Sequence, residues 1–399
     1  MHAMKTFLFP PSGHVKYLIR CALLCCIPVL VCLVQAFQLS LSFHKPGSSD
    51  FDVFFMVSHA FWNGTASEAY RGTLVSNSGE VYNGLRWTYP PPYMLLVAPF
   101  AFIPEWAAYL TFMSLSVAAY IAMIRSLSGH YFEVALKMSI PAICVSIAAG
   151  QNGLLFGSTV AWLLGCMSSS AGWSGLGLAL LALKPQLLPI VLLYFIREKK
   201  WRAITIGVLG LLFLACSSVA VQGCQVWLDF LSTMDETRQL LLTGNLRIFR
   251  MISVYASLGP LGIAPSYSIL AQSLVALGII YIVIIRSRQA SLRGQLGLVA
   301  LATPLISPYV YDYDMPVAMI SFSLLWPLFQ EHSHRIERLA YIVCLLFVSV
   351  WGLLAETLLP ALSRLPEGPS LFSIPTPAGF LLLLSFACAS RVVFRAGSQ

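Results

Sequence analysis

Charge is what this sequence has least of. Only 10% of its 399 residues are Asp, Glu, Lys or Arg, while 58% are hydrophobic, and the mean hydropathy is +0.79. A water-soluble domain carries roughly 25% charged residues, so a soluble fold is excluded and lipid is the solvent for most of the surface. Histidine is also scarce, with seven in the chain. None sits at metal-ligand spacing in an outward loop, and there is no His-Glu-x-x-His, Walker A loop or Rossmann glycine turn. Repeats of fixed period and low-complexity segments are absent too. The ten cysteines do not form a disulfide framework. Cys21, Cys25, Cys26, Cys32, Cys144, Cys166, Cys216, Cys344 and Cys388 fall inside apolar runs as small hydrophobes, and Cys224 alone lies near a loop. The formal charge of +8 is spread in short clusters between apolar runs. That pattern suits membrane topology and excludes the aromatic-interleaved basic stripe of a nucleic-acid binder.

What the chain does have is apolar length. A span takes about 20 apolar residues, fewer where neighbouring helices shield it. On that basis the expected architecture is all-α and polytopic, with about twelve spans near 21–43, 91–103, 105–125, 135–149, 152–168, 173–196, 203–222, 264–285, 294–307, 315–330, 338–358 and 374–391. The first run is too long for the core of a signal peptide and has no clear cleavage site, so it reads as a retained span. The whole of 1–399 reads as one membrane domain, with outer loops at 44–90 and 223–258. Strict alternation gathers Lys5, Lys16, Arg20, the 197–202 cluster, Arg286, Arg288, Arg293, Arg335, Arg338, Arg391 and Arg395 on one side, which is then cytoplasmic. Most acidic residues, including Asp50, Asp52, Asp229, Asp235 and Glu236, face the other way. Residues 126–172 fit poorly: Gly150-Gln151-Asn152 is polar within an apolar region, and reads either as a cytoplasmic turn or as a broken helix pair at mid-depth. The Asn63-Gly64-Thr65 sequon carries no meaning in a bacterial cell.

Some residues are expensive in this setting. Lys184 lies midway along 172–196, where a lysine costs roughly 2.5–3.5 kcal/mol on insertion scales and cannot easily snorkel to either end. Pro185 after it frees a backbone carbonyl and opens a polar pocket around Gln186. Lys184 therefore reads as an anion or phosphate ligand, or as half of a buried ion pair. Asp50 and Asp52 stand at the start of the segment 51–62, the first just before it and the second inside it, and that segment is patterned as an amphipathic interfacial helix. They are either helix caps or a general base held at the membrane surface. Trp87-Thr88-Tyr89-Pro90-Pro91-Pro92-Tyr93 reads mainly as structural re-entry, with aromatics anchored at headgroup level. In the segment 307–314, interfacial anchoring accounts for the tyrosines but not for Asp312 and Asp314, which points to substrate contact. Arg238, Arg247 and Arg250 of the second outer loop pair either with local carboxylates or with an anionic ligand.

Taken in order, the helix led by Asp50, Tyr89-Pro90-Pro91, Gly150-Gln151-Asn152, Lys184-Pro185-Gln186 and Ser307-Pro308-Tyr309 resemble the membrane mannosyltransferases of glycosyltransferase family 87. Members of that family build phosphatidylinositol mannosides in mycobacteria. The resemblance spans about residues 45–320 and rests on the order of five motifs. It implies a GT-C-class fold that transfers a hexose, mannose above all, with inversion from a polyprenyl-phosphate donor to a lipid or glycan acceptor. The expected setting is the periplasmic face of a bacterial inner membrane, with membrane lipids as surroundings, and with no cofactor, metal or nucleic acid involved. Carried over, Asp50 is the general base with Asp52 beside it, and Lys184, Arg250 and Gln186 meet the donor phosphate. Tyr89, Gln151, Asn152, Tyr309, Tyr311, Asp312 and Asp314 are expected to bind substrate. Where relatives often carry a Trp and paired His after Ser-Pro, this chain has Tyr311, Asp312, Tyr313 and Asp314, which leaves the base open between Asp50 and an aspartate of 312–314. The alternative function is a transporter or flippase, for which an intramembrane lysine and broken helices are equally natural, although no internal symmetry is visible.

Overall fold

A computed structural model of the chain describes residues 14–40, 49–75, 81–83, 86–243, 246, 248–362 and 376–398. Seventeen α-helices carry nearly all of it. The first third holds α1 (His14–Ser40), α2 (Asp50–Trp62), α3 (Ala66–Arg71), α4 (Pro91–Val97), α5 (Glu105–Ser128) and α6 (Phe132–Ala149). The middle holds α7 (Gly153–Cys166), α8 (Ala171–Leu181), α9 (Pro189–Arg197), α10 (Trp201–Gln222), α11 (Gln225–Thr243) and α12 (Val254–Leu258). The last part holds α13 (Pro265–Ile284), α14 (Leu292–Leu305), α15 (Met315–His332), α16 (Arg335–Leu362) and α17 (Ala378–Gly397). A departure from all-α is a small antiparallel ribbon in the first loop, β1 (Thr73–Val75) with β2 (Val81–Asn83), pairing Leu74 with Tyr82.

Among the described residues six segments are long and apolar enough to cross a bilayer: Arg20–Ser40, Glu105–Ala149, Trp201–Gln222, Pro265–Gln289, Arg335–Glu356 and Ala378–Gly397. Glu105–Ala149 is turned at Gly129, so it contains two helices, α5 and α6. The outermost helices show why composition demanded lipid. Leu23, Leu30 and Phe37 of α1, Leu209 and Phe213 of α10, and Leu274 and Leu277 of α13 are exposed, and only a hydrocarbon solvent suits such flanks. The centre is different. Every residue from Gly294 to Leu305 in α14 and from Met315 to Trp326 in α15 is buried. These two helices pack along each other and see protein on all sides, so they need neither a full span's length nor its hydropathy.

Two expected spans and one turn fold otherwise. The 91–103 stretch is not a crossing. Pro91 and Pro92 start α4, a 3₁₀ turn takes over at Ala98–Phe102, and the unit packs on α2, where the Trp62 indole donates to the Ala98 carbonyl at 2.9 Å. The 173–196 stretch is broken. Pro185 has no N–H and its ring blocks the carbonyl four residues back, so α8 stops at Leu181. Lys184 takes a non-helical backbone, and α9 restarts at Pro189. α8 lies against α10 through missing side chains: a Cβ on Gly175 would meet Ile206 Cβ at 2.6 Å, and one on Gly207 would meet Leu178 Cβ at 2.9 Å. Because the register rises in both helices together, α8 and α10 run parallel and begin at the same end. The chain between them must therefore double back, and α8–α9 form a re-entrant pair with 182–187 at its tip.

The third revision concerns 150–152. α6 ends at Gly150, and Gln151 bonds to Asp50, so this turn lies at the Asp50 end of the bundle and not at the far end; it is a break between α6 and α7 that is buried in protein. The far end collects the basic clusters. Arg20 lies 3.9 Å from Glu133, Arg197 donates to the Val283 carbonyl, Arg293 to the Leu127 carbonyl, and Arg395 to Glu337. The 223–258 segment, read as a loop, contains α11 and α12. α2 is not half immersed in lipid. Phe51, Phe54, Phe55, Met56, Val57 and Phe61 are all buried by protein, with Phe51 edge-on to Tyr109 at 5.3 Å.

Candidate active site

The Asp50 end opens into a cavity of about 620 Å³. Five separate pieces of chain build it: the start of α2, the 86–90 approach, the Gly150–Asn152 turn, the tip of the α8–α9 pair, and the joined segments 248–253 and 307–314. α11 forms the remaining wall with Phe230, Thr233, Met234 and Thr237.

The two aspartates of α2 part company. Ser49 caps the helix, and Asp52 completes a capping box by accepting the Ser49 N–H at 3.1 Å, fully buried and away from the cavity. Asp50, at the first helical position, lines the cavity and is exposed. Its Oδ2 accepts a hydrogen bond from Gln151 Nε2 at 3.0 Å. The turn that delivers Gln151 depends on Gly150, whose φ is +68°. A Cβ there would also lie 2.6 Å from Ser49 Oγ and 2.8 Å from Phe51 Cβ, so glycine lets α6 end directly against the start of α2.

Gln151 and Asn152 point into different networks. Gln151 Oε1 accepts from the Tyr89 hydroxyl at 3.0 Å. Asn152 Nδ2 donates to the Tyr93 hydroxyl at 3.1 Å, and its Oδ1 accepts from Lys184 Nζ at 3.0 Å. Lys184 also binds the Asp314 carboxylate, and each side chain of that pair is 2% exposed. Lys184 thus sits in an ion pair and at the cavity surface at once, so the two readings of this residue are compatible. The aromatic approach is internal, not an anchor at headgroup level. Trp87 and Tyr93 are buried, Tyr89 stacks on Tyr93 at 4.8 Å, and Phe54 stands edge-on to both Trp87 and Tyr93.

Arg250 mirrors the lysine. Its Nε and Nη2 reach Asp312 at 3.2 and 3.0 Å, and Nη1 reaches Glu356 at 3.3 Å. Asp312 is buried and faces its own Tyr313 N–H; burial pushes its carboxyl above the usual range although Arg250 pulls the other way. A short antiparallel bridge between Met251 and Tyr311, with the Ile252 N–H on the Val310 carbonyl at 3.0 Å, ties the two segments together. Tyr309, Tyr311 and Tyr313 form a ladder, edge-on at 5.4 Å and then stacked at 5.3 Å. Burial pushes all three phenols upward, so they stay protonated and able to donate. Tyr313 lies between the cations, 5.4 Å from Lys184 Nζ and 5.8 Å from Arg250 Cζ.

Of the residues singled out by sequence, the cavity brings together Asp50, Tyr89, Gln151, Lys184, Gln186, Arg250, Tyr309, Tyr311 and Asp314. Asn152 and Asp312 stand one bond behind, holding Lys184 and Arg250. Arg238 is on the exposed side of α11, 3.9 Å from Asp235, and Arg247 lies outside the described residues. Tyr313, Arg86, Thr88, Thr233 and Thr237 line the cavity without having been anticipated as ligands. A signal existed for two of them: Thr233 and Thr237 are spaced i, i+4 on the α11 face that carries Phe230.

A family model, Glycosyltransferase family 87, matches residues 87–308, more than half of the chain. The chain belongs to glycosyltransferase family 87. It is therefore a membrane glycosyltransferase, and the transporter reading falls. Searches of curated proteins and of solved structures return no match. The region matched to family 87 carries Tyr89, Gln151, Lys184 and Arg250. Asp50, Asp312 and Asp314 lie outside it and join the site only through the fold.

Proposed function

We propose that this family 87 chain transfers a hexose, mannose first among candidates, from a polyprenyl phosphate to a lipid or glycan hydroxyl, with inversion, at the periplasmic face of a bacterial inner membrane. The observation that carries this reading is the convergence in one cavity of a carboxylate, Asp50, with two cations, Lys184 and Arg250, each held by its own carboxylate. Asp50 takes the proton of the acceptor hydroxyl as its oxygen attacks the anomeric carbon. The bond from that carbon to the phosphate oxygen breaks, and its electron pair leaves on the phosphate. Lys184 and Arg250 meet the charge that builds there, already oriented by Asp314 and Asp312, so little reorganisation is needed during the step. Gln186, Thr233, Thr237 and the tyrosines offer neutral hydrogen-bonding groups suited to sugar hydroxyls. One base suffices for inversion.

The test is transfer from radiolabelled polyprenyl-phosphate mannose to a host lipid extract by purified protein in nanodiscs. Label on a new product, lost in Asp50→Asn while donor binding persists, supports the proposal. No transfer from mannose, glucose or arabinose donors defeats the donor class, and an active Asp50→Asn removes Asp50 as the base.

A further inference from the structure

Gln151 was expected to touch substrate, yet its side chain is spent largely on protein. It is 8% exposed. Its Oε1 accepts the Tyr89 hydroxyl at 3.0 Å and lies 3.4 Å from the Asn152 N–H. Its backbone N–H is fixed on the Ser146 carbonyl at 3.1 Å. The Asn152 N–H, which can only donate, and the Asp50 carboxylate, which accepts, fix which way round the amide sits, because a flipped amide would set N–H against N–H at one and oxygen against oxygen at the other. The NH₂ group is then forced toward Asp50 Oδ2, 3.0 Å away. Tyr89 is itself clamped, with its carbonyl accepting the Tyr70 hydroxyl at 2.7 Å and its ring stacked on Tyr93.

We infer that Gln151 is a positioning residue for the base: Tyr89 orients the Gln151 amide, the amide holds one oxygen of Asp50, and the other oxygen is left to take the acceptor proton. The inference rests on Asp50 being the base. A neutral amide is the right group for this task. It anchors the carboxylate without adding charge, whereas a cation in its place would hold Asp50 so strongly in its ionised form that it would be a poor proton acceptor. The groups that face Asp50 from the surrounding elements are Arg86 and Tyr89 on the approach, Arg250, Tyr309 and Tyr311 across the cavity, and the Lys184–Asp314 pair at the re-entrant tip. Gln151 is the one in direct hydrogen-bond contact with the Asp50 carboxylate among the described residues.

The experiment compares Gln151→Glu and Gln151→Leu with the wild type for turnover against pH, with donor KM at each pH. Gln151→Glu puts a like charge within hydrogen-bond distance of Asp50, so the pair shares a proton and titrates together. The expected result is that the acidic limb of the kcat profile moves up by at least one pH unit. Gln151→Leu, which leaves Asp50 loose but adds no charge, should lower kcat by tenfold or more with donor KM within twofold and the acidic limb in place. A limb unmoved in Gln151→Glu, or a loss confined to donor KM in both variants, overturns the positioning role and returns Gln151 to substrate binding or to plain structure. Asp50→Asn run alongside separates the two failures. If it is inactive while Gln151→Glu keeps the wild-type profile, the base stands and the positioning inference falls; if Asp50→Asn is active, the base itself is elsewhere.

Discussion

Replacing Lys184 with methionine strands the Asp314 carboxylate in a site where both partners are 2% exposed. Removing one half of a buried pair costs about 3–5 kcal/mol, because the remaining charge keeps its desolvation penalty and loses its compensation. Asn152 Oδ1 loses its donor as well. Replacing both partners, Lys184→Met with Asp314→Leu, removes the stranded charge, and such apolar exchanges are often neutral or stabilising. Stability and chemistry then part. Thermal midpoints followed by tryptophan fluorescence in nanodiscs should fall by several degrees in the single variant and return close to wild type in the double. Turnover should not return. A positioned donor facing charge that develops in a transition state is worth about 10²–10³ in kcat, by analogy with oxyanion holes, and both variants lack it. A double variant that regains stability and wild-type turnover together would refute the reasoning and leave Lys184 with an architectural role alone.

Gly150→Ala forces a side chain into left-handed backbone, costing about 1–2 kcal/mol, and sets its Cβ 2.6 Å from Ser49 Oγ. Turnover should fall tenfold or more while the thermal midpoint drops only a few degrees; equal and small effects on both would mean that the start of α2 tolerates displacement. Arg250→Lys keeps the charge but gives up the two-point grip on Asp312, so kcat/KM for the donor should fall at least tenfold, measured in the same transfer assay. On α11, burial works against the charge of Asp229, but hydrogen bonds from Ser67, Arg71 and Gln225 outweigh it and hold the carboxyl below its usual range. A depressed carboxyl contributes stability that is complete above its unfolded pKa and is lost as pH falls through the folded one. Protection from hydrogen exchange in α11, measured against the intrinsic rate at each pH, should therefore fall below about pH 4, modestly because Arg71 is largely exposed, and Asp229→Asn should abolish the difference.

Much of this site was legible in the chain. Lys184, Asp50, Asp312 and Asp314 stand out because charge amid apolar residues carries a free-energy cost that a sequence displays without any structure. Pro185 announced a freed carbonyl and a polar pocket in its span, but the reversal of the chain there did not show. Whether a helix kinks or reverses depends on what packs beside it, here α10 running parallel to α8 through Gly175 and Gly207. Two departures from regular alternation, the 91–103 stretch that never crosses and the 173–196 stretch that turns back, cancel one another. The basic clusters beyond them therefore still gather at one end, while Gly150–Asn152 moves to the other.

By itself the sequence determined the solvent and the cost. Transfer free energies add residue by residue, so composition decides that this chain lives in lipid, and a lone lysine or aspartate is marked as needing compensation wherever it lies. What supplies that compensation was decided only by tertiary structure. Lys184 found Asp314, Arg250 found Asp312, and Asp50 found Gln151 at separations along the chain that no local pattern constrains. The division between Asp50 and Asp52, two residues apart, came from helix geometry: one turns inward to cap α2 and the other faces the cavity. Pair interactions depend on distances that the packing of the whole bundle sets, and that is why the partners could not be read before the fold.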